Sequence, residues 1–283
     1  MTSKAFCPGH ITGFFTVSEI YDELEKVGSR GAGFSIELGA ISEVTVGGER
    51  WDIVVDGVKT PFPVVEKTLE KIASGGEAII KTEIPFSQGF GMSGACALSA
   101  GMAALYDIEM DPKKAIRLAH VAEVSCQTGL GDVVGQSVGG FEIRLKEGIP
   151  PKGIIKNKSI EHEVVLGIVG PPLITTDILG DQIVNKSIIE EGNICMDDFL
   201  PENGFDRFIE ISYHFAERTK FLRKSMKDLL KKIENYGKGS MAMIGNSIFL
   251  FGETKKLVDI LQEDDTVEQV FVTKIDNHGA RVL

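Results

Sequence analysis

One hydroxyl and two carboxylates, Ser93, Glu123 and Asp132, stand in stretches too apolar or too glycine-rich for ordinary surface residues, and each could hold a cation or steer a proton. Ser93 lies in PFSQGFGMSGACALSAG, residues 85–101, a glycine-rich turn that opens onto small and apolar residues without a charge. A turn of this kind leading into a helix presents unpaired backbone N–H groups at the positive end of the helix dipole, which suits an anion and makes phosphate the first candidate. The turn is not GxxxxGK[ST], since no lysine follows its second glycine, nor a GxGxxG closing an N-terminal strand. In the first turn of the following helix, Ser93 could cap the helix or ligate a magnesium ion. Glu123, in LAHVAEVSCQ, is flanked by Val121, Ala122 and Val124, so its carboxylate needs a cation, a donor or a proton. A lysine or arginine partner would supply one. Metal ligation shared with Ser93 is the favoured reading, because Mg²⁺ is held by one or two side-chain oxygens together with phosphates and waters. Asp132, in TGLGDVVG among Gly129, Gly131 and Gly135, reads by itself as a turn aspartate.

The elements that must position these groups alternate loosely along the chain. Short β-rich segments, AISEVTVGG and WDIVVDG, come first, followed by AIIKTEIPF, the glycine turn and an Ala-rich helix. Pro112 starts a second helix, PKKAIRLAHVAEVSCQ, which is expected to end at Gly129. The glycine-rich TGLGDVVGQSVGG precedes a strand, FEIRL, and KEGIPPKGIIKNKS reads as a linker, which puts the domain boundary near residue 153. The second half begins with the strand EVVLGIVG, is helical between about 204 and 236, and ends on SMAMIGNSIFLFG and VEQVFVTKI around a short helix. No internal repeat is visible. The pattern suits an α+β protein of two domains, 1–153 and 154–283, sharing a cleft.

Composition bounds the partners. The formal net charge of −11 disfavours nucleic acid, and any polyanion bound here must bring its own cation. Four well-separated cysteines without a CxxC pair read as reduced intracellular thiols. Residues 84–106 carry no charge, but Pro85, Ser87, Gln88 and four glycines make them poorly suited to span a membrane. The N-terminus has no continuous apolar stretch of the signal-peptide kind, so a cytoplasmic protein is expected.

Pro85, Gly89, Gly91, Met92, Ser93, Gly94 and Ala95 follow a spacing that resembles the phosphate loop of the GHMP kinase superfamily. CPGHITGFF at 7–15 resembles its N-terminal motif, and GKGSMAMIGNSIFLFG at 237–252 stands in the place of its C-terminal glycine-rich motif, although Met241, Met243 and Asn246 stand among the glycines. The N-terminal motif lacks the acidic and asparagine residues that galactokinases use for sugars. PGHITGFF, GSRGAGFSIELGA at 28–40 and the closing NHGARVL are together most similar to the archaeal pantoate kinases.

The resemblance implies a two-domain GHMP kinase fold, with an N-terminal ATP-binding domain and a C-terminal ferredoxin-like α/β sandwich domain. It also implies ATP and pantoate as substrates, Mg²⁺ on Ser93 and Glu123, and a homodimer. Asp132 matches the superfamily aspartate that faces the acceptor hydroxyl, as a base or as a positioning group. For the acceptor's carboxylate, Arg144 in the strand GGFEIRL is the first candidate and Arg30 in GSRGAG the second, with a solvated Glu142/Arg144 strand face as the alternative. His10 could contact substrate or hydrogen-bond the loop backbone, and it stands outside the catalytic set, as does Lys238. Homoserine, shikimate or mevalonate as acceptor, and a ligand-binding relative without catalysis, remain open.

Overall fold

Two long strands, β1 (Ser3–Val17) and β2 (Ser29–Val46), run antiparallel through the middle of an eight-stranded sheet in a computed structural model that describes residues 2–17, 23–173 and 182–283. They extend well beyond the short β segments expected at the N-terminus. Glycine weakens a strand where its missing side chain would have packed. Here Gly13 faces Ser212 and Phe208 and Gly33 faces His10, side chains that fill their space, while Gly31 lies close to the Phe14 and Phe15 backbone, and pairing of β1 with β2 continues through Gly9, Gly31 and Gly33. β1 is bulged between Pro8 and Gly9 and between Thr12 and Phe14, on either side of His10. Bulges of this kind re-aim the side chains that follow them.

The second neighbour of β2 changes along its length. Gly31–Phe34 pair with β6 (Phe141–Lys146), and Ala40–Val46 pair with β5 (Gly76–Thr82). β3 (Trp51–Val55), β4 (Val58–Lys59), β7 (Ile154–Lys158) and the closing β12 (Arg281–Val282) complete the sheet, with β3 parallel to β5. The stretch expected to be a linker therefore contains a strand, β7, hydrogen-bonded to β6. Sheet pairing runs past residue 153, and the C-terminus returns to β1. A four-stranded antiparallel sheet is formed in the order β11 (Gln269–Lys274), β8 (Glu163–Ile168), β10 (Ser247–Gly252) and β9 (Gly237–Met241).

Helices α1 (Pro63–Glu70), α2 (Met92–Asp107), α3 (Lys114–Cys126) and α4 (Asp132–Val138) pack together on the His10 face of the large sheet. The expected helix at Pro112 begins two residues later and stops at Cys126, where Gln127 takes a left-handed conformation at φ 58°. The glycine-rich segment after it is also not all loop, because Asp132–Val138 form α4. Buried Val133 and Val134 hold that helix against the core in spite of Gly135. On the opposite face lie α5 (Gln182–Phe199) and α6 (Phe205–Arg218), followed by α7 (Lys224–Lys232) and, beside the smaller sheet, α8 (Thr254–Gln262).

An aromatic cluster joins the two sheets. Phe34 of β2 meets the rings of Phe205, Phe208, Phe249 and Phe251 at centroid distances of 5.4 to 6.2 Å, mostly edge to face. Edge-to-face contacts add to the burial energy of each ring. Phe34 is fully buried, so Phe34→Ala is expected to remove about 3–5 kcal/mol of stability. Urea titration checks this, and a loss below 1 kcal/mol would show that the cluster does not tie the sheets together.

Candidate active site

Gly91 starts α2 with φ 62°, a left-handed conformation that glycine adopts at little cost, and caps the helix with no side chain. The first-turn amides of α2 thus open onto a cleft instead of a capping oxygen, with no charged residue in the helix's first turn. The cleft, about 310 Å³, is within the range of small-molecule sites. Gly89, Gly91, Met92, Ser93 and Gly94 of the phosphate-type loop line it, while Pro85 and Ala95 do not.

The loop is fixed from two sides. Gln136 of α4 donates from Nε2 to the Gly91 carbonyl at 2.8 Å. Buried Gln88 donates to the Gly170 carbonyl and accepts from the Asn246 amide, and its own carbonyl accepts from Ser247 Oγ. A Cβ on Gly245 would overlap the Gln88 backbone. The C-terminal glycine motif therefore packs beneath the phosphate-type loop, and only Met243 and Ile244 of it line the cleft.

Ser93, Glu123 and Asp132 converge here as the sequence reading expected. Ser93 Oγ is buried and makes no hydrogen bond of normal geometry, although it lies near enough to Glu123 to favour that carboxylate's charged form. Glu123 is 2% exposed, and its Oε1 accepts from Thr128 Oγ1 at 3.0 Å. Burial, reinforced by the negative charge of Asp132, pushes the Glu123 carboxyl up to about 7. Among the described residues no lysine or arginine neutralises it, so the alternative of a basic side-chain partner is not realised there. Its Oε2 occupies the place where a Cβ on Gly129 would be.

Asp132 is treated differently. Burial alone would raise its carboxyl, but His10 Nδ1 bonds to Oδ1 at 2.8 Å, and with the more distant Arg144 it holds Asp132 below the usual carboxylate range. His10 belongs to this contact and does not line the cleft itself. Arg144 is not on a solvated strand face. It is 2% exposed, paired through Nη1 with Glu142, and donates from Nη2 to Thr12 Oγ1 at 3.2 Å. Its Nε is buried without a partner, and a Cβ on Gly131 would stand 2.9 Å from it. Arg30 turns away from the site and donates to Asn193 of α5 at 2.6 Å. Lys238 pairs with Asp206 far from the cleft.

Sequence reasoning missed Thr12, Ser29 and Thr128, which line the cleft, and the aromatic pair Phe62–Phe86, 5.6 Å apart, which lines it too. Polar residues of this kind carry no spacing signal, and the two phenylalanines lie 24 positions apart. Among the described lining residues the charged ones are Glu123 and Asp132, both acidic. Among the described residues, no cluster of three or more His, Cys, Asp or Glu could hold a metal by itself. A hydroxyl without a partner beside a carboxylate without a cation, both at the N-terminus of α2, fits a divalent ion that arrives with a polyphosphate.

The GHMP kinases N terminal domain family model matches residues 59–140. The chain is 31% identical to a pantoate kinase of Methanocaldococcus jannaschii over 264 residues, 90% of this chain and 95% of that one. It is 32% identical to a pantoate kinase of Thermococcus kodakarensis over 265 residues, 88% and 87% of the two chains. Among solved structures, a phosphotransferase related to the CoA biosynthesis pathway superposes with a TM-score of 0.89 at 27% identity, covering 100% of this chain and 99% of its own. The Methanococcus jannaschii mevalonate kinase shares the fold, with a TM-score of 0.69 at 15% identity and 98% of each chain covered.

Glu123 predicts a pH signature in protein free of nucleotide and magnesium. Its folded pKa of about 7 lies above the ordinary 4.5. The native state therefore holds its proton longer than the unfolded chain, and stability falls as pH rises through this window. Glu123→Gln removes that penalty, so it should be more stable than the unaltered protein at pH 8, by an amount on the order of 3 kcal/mol, with little difference at about pH 4, below the unfolded pKa. Urea titrations at the two pH values test this, and an equal difference at both would show that Glu123 is not the group responsible.

Proposed function

Since this chain belongs to the pantoate kinase family of the GHMP kinases, we propose that it transfers the γ-phosphoryl group of ATP to the primary hydroxyl of pantoate, forming 4-phosphopantoate for coenzyme A biosynthesis. The observation that carries this reading is the buried, unpartnered Ser93 hydroxyl beside the cation-free Glu123 carboxylate at the open N-terminus of α2, with Asp132 lining the same cleft.

The loop amides at 91–94 and the dipole of α2 would receive the phosphates of ATP. Phe62, Phe86 and Ile244 offer an apolar end for its base. Ser93 and Glu123 are the residues that would hold Mg²⁺, which when bound neutralises phosphate charge and so favours transfer to the acceptor. Phosphoryl transfer passes through a loose transition state, so the protein's task is chiefly to position the reactants and stabilise charge.

Asp132 would receive the acceptor hydroxyl. His10 occupies its Oδ1, which leaves Oδ2 for the substrate. A carboxylate held below its usual range is a good hydrogen-bond acceptor and a weak base, so it aligns the hydroxyl and takes the proton late, as the bond to phosphorus forms. Phe15 and Leu130 supply an apolar wall for the branched carbon of pantoate, beside Thr12 and Ser29. Arg144 is the cation assigned to the pantoate carboxylate, since its unpartnered Nε lies against Gly131, a wall residue of the cleft. A cytoplasmic enzyme fits the absence of an apolar signal-peptide stretch, and the family resemblance implies a homodimer. Among the described residues no helix is long and apolar enough to cross a membrane.

ADP release with ATP, Mg²⁺ and a panel of pantoate, pantothenate, homoserine, shikimate and mevalonate tests the assignment. Pantoate should be the preferred acceptor, and turnover of another acceptor with pantoate refused would replace the substrate while keeping the kinase chemistry. In the same assay Glu123→Gln and Asp132→Asn should each lower kcat by roughly 10²-fold or more. Normal turnover by either folded variant removes that residue from the mechanism.

Arg144→Lys keeps the charge but loses the planar fork, so it should raise the KM for pantoate while leaving that for ATP little changed. Arg30→Ala should change neither. The opposite pattern would transfer the carboxylate contact to Arg30.

A further inference from the structure

His10 and Glu142 belong to strands that are not neighbours, because β2 runs between β1 and β6. Two strand spacings amount to roughly 9–10 Å, yet His10 Nε2 lies 3.1 Å from Glu142 Oε1. The approach is possible because the intervening residue of β2 is Gly33, paired with Thr12 on one side and Glu142 on the other. A Cβ at that position would stand 2.8 Å from His10 Cε1 and Nε2. Gly135 of α4 leaves the space above the ring, where its Cβ would overlap Nε2.

The result is a buried chain of alternating charge. Asp132 faces the cleft, His10 touches it through Nδ1, Glu142 holds Nε2, and Arg144 closes the chain on the same Glu142 oxygen and on Thr12. His10 and Glu142 are both 0% exposed. Burying so many charges is costly unless each is paired, and a hydrophobic interior would have served stability as well. Of its members Asp132 alone lines the cleft, and Arg144 approaches the cleft wall at Gly131.

We propose that Glu142 is a positioning residue for the transfer reaction, holding His10 as a two-armed donor that fixes Asp132 Oδ1 and so aims Oδ2 at the acceptor hydroxyl. This rests on the reading that Asp132 meets that hydroxyl. With carboxylates on both ring nitrogens, both must carry hydrogen for the two contacts to be hydrogen bonds. Burial favours the uncharged ring, but the bonds to Asp132 and Glu142, from α4 and β6, outweigh it and hold the His10 pKa above its ordinary value. Without Glu142 the ring would be free to turn or to lose its Nε2 proton, and Asp132 would lose its fixed orientation while every residue of the cleft remained in place.

The test is Glu142→Gln in the full chain, with kcat measured at saturating ATP, Mg²⁺ and pantoate and with the ring ¹⁵N resonances of His10 followed by NMR. The expected result is a fall in kcat of roughly 10- to 100-fold, as outer partners of functional groups usually cause, with the KM for ATP unchanged and the Nε2 resonance shifted from its position in the unaltered protein. Undiminished kcat in Glu142→Gln, beside an active unaltered protein, overturns this proposal alone. So does a lowered kcat with an unmoved His10 resonance, since the loss would then be structural. Inactivity of the unaltered protein on every acceptor overturns the kinase reading and this proposal together. If Glu142→Gln does not fold, Glu142→Asp keeps the charge opposite Arg144, withdraws the carboxylate from His10 by one methylene, and is judged by the same measurements.

Discussion

An ionised carboxylate cannot stay in an apolar interior without a partner, and the site is organised around two that are given different ones. Asp132 receives a histidine and is held ionised. Glu123 receives a threonine hydroxyl and no cation, and its proton affinity rises. One carboxylate is thus complete before any ligand binds, and the other is left wanting a positive charge. A group that must keep one orientation through a reaction suits the first condition, and a group that must take up a metal ion suits the second. His10 is committed to Asp132, with Arg144 behind it on Glu142, and no described cation is committed to Glu123.

Space for this arrangement comes from residues without side chains. Gly129 leaves room for Glu123, Gly33 and Gly135 for His10, and Gly131 for Arg144. None of the four has a positive φ, so their role is steric and does not depend on unusual backbone conformation. At Gly91 the requirement is conformational, because the entry to α2 is left-handed. The same residue type therefore serves two purposes within one site, and only the tertiary structure separates them.

The remainder of the fold holds this cleft still. The phosphate-type loop is tied by Gln136 to α4 and by Gln88 to the turn between β9 and β10, while the C-terminal tail reaches α4 through the bond from the Ala280 amide to the Gln136 carbonyl. The two sheets are joined behind it by the Phe34 cluster. A loop that presents backbone amides to an anion must not relax toward other partners, and these ties come from three distant parts of the chain.

The sequence by itself determined the phosphate-type loop, the uncharged helix behind it and the pair Ser93 and Glu123, because each depends on local composition: glycine at a turn, absence of charge in a helix, a carboxylate among apolar neighbours; Asp132 reads locally as a turn aspartate and was singled out by the family resemblance alone. It also led to the α+β class, since the later strands and helices follow regular apolar periods. It misjudged the N-terminal strands and α4, where glycines that conceal periodicity are filled by neighbouring side chains. Only the tertiary structure decided the partners. That Arg30 reaches Asn193 and that His10 reaches Asp132 depends on contacts between residues more than a hundred positions apart, and that His10 also meets Glu142 depends on an approach across β2. Electrostatic pairing acts through space, and a spacing pattern along the chain records only what neighbours in sequence require.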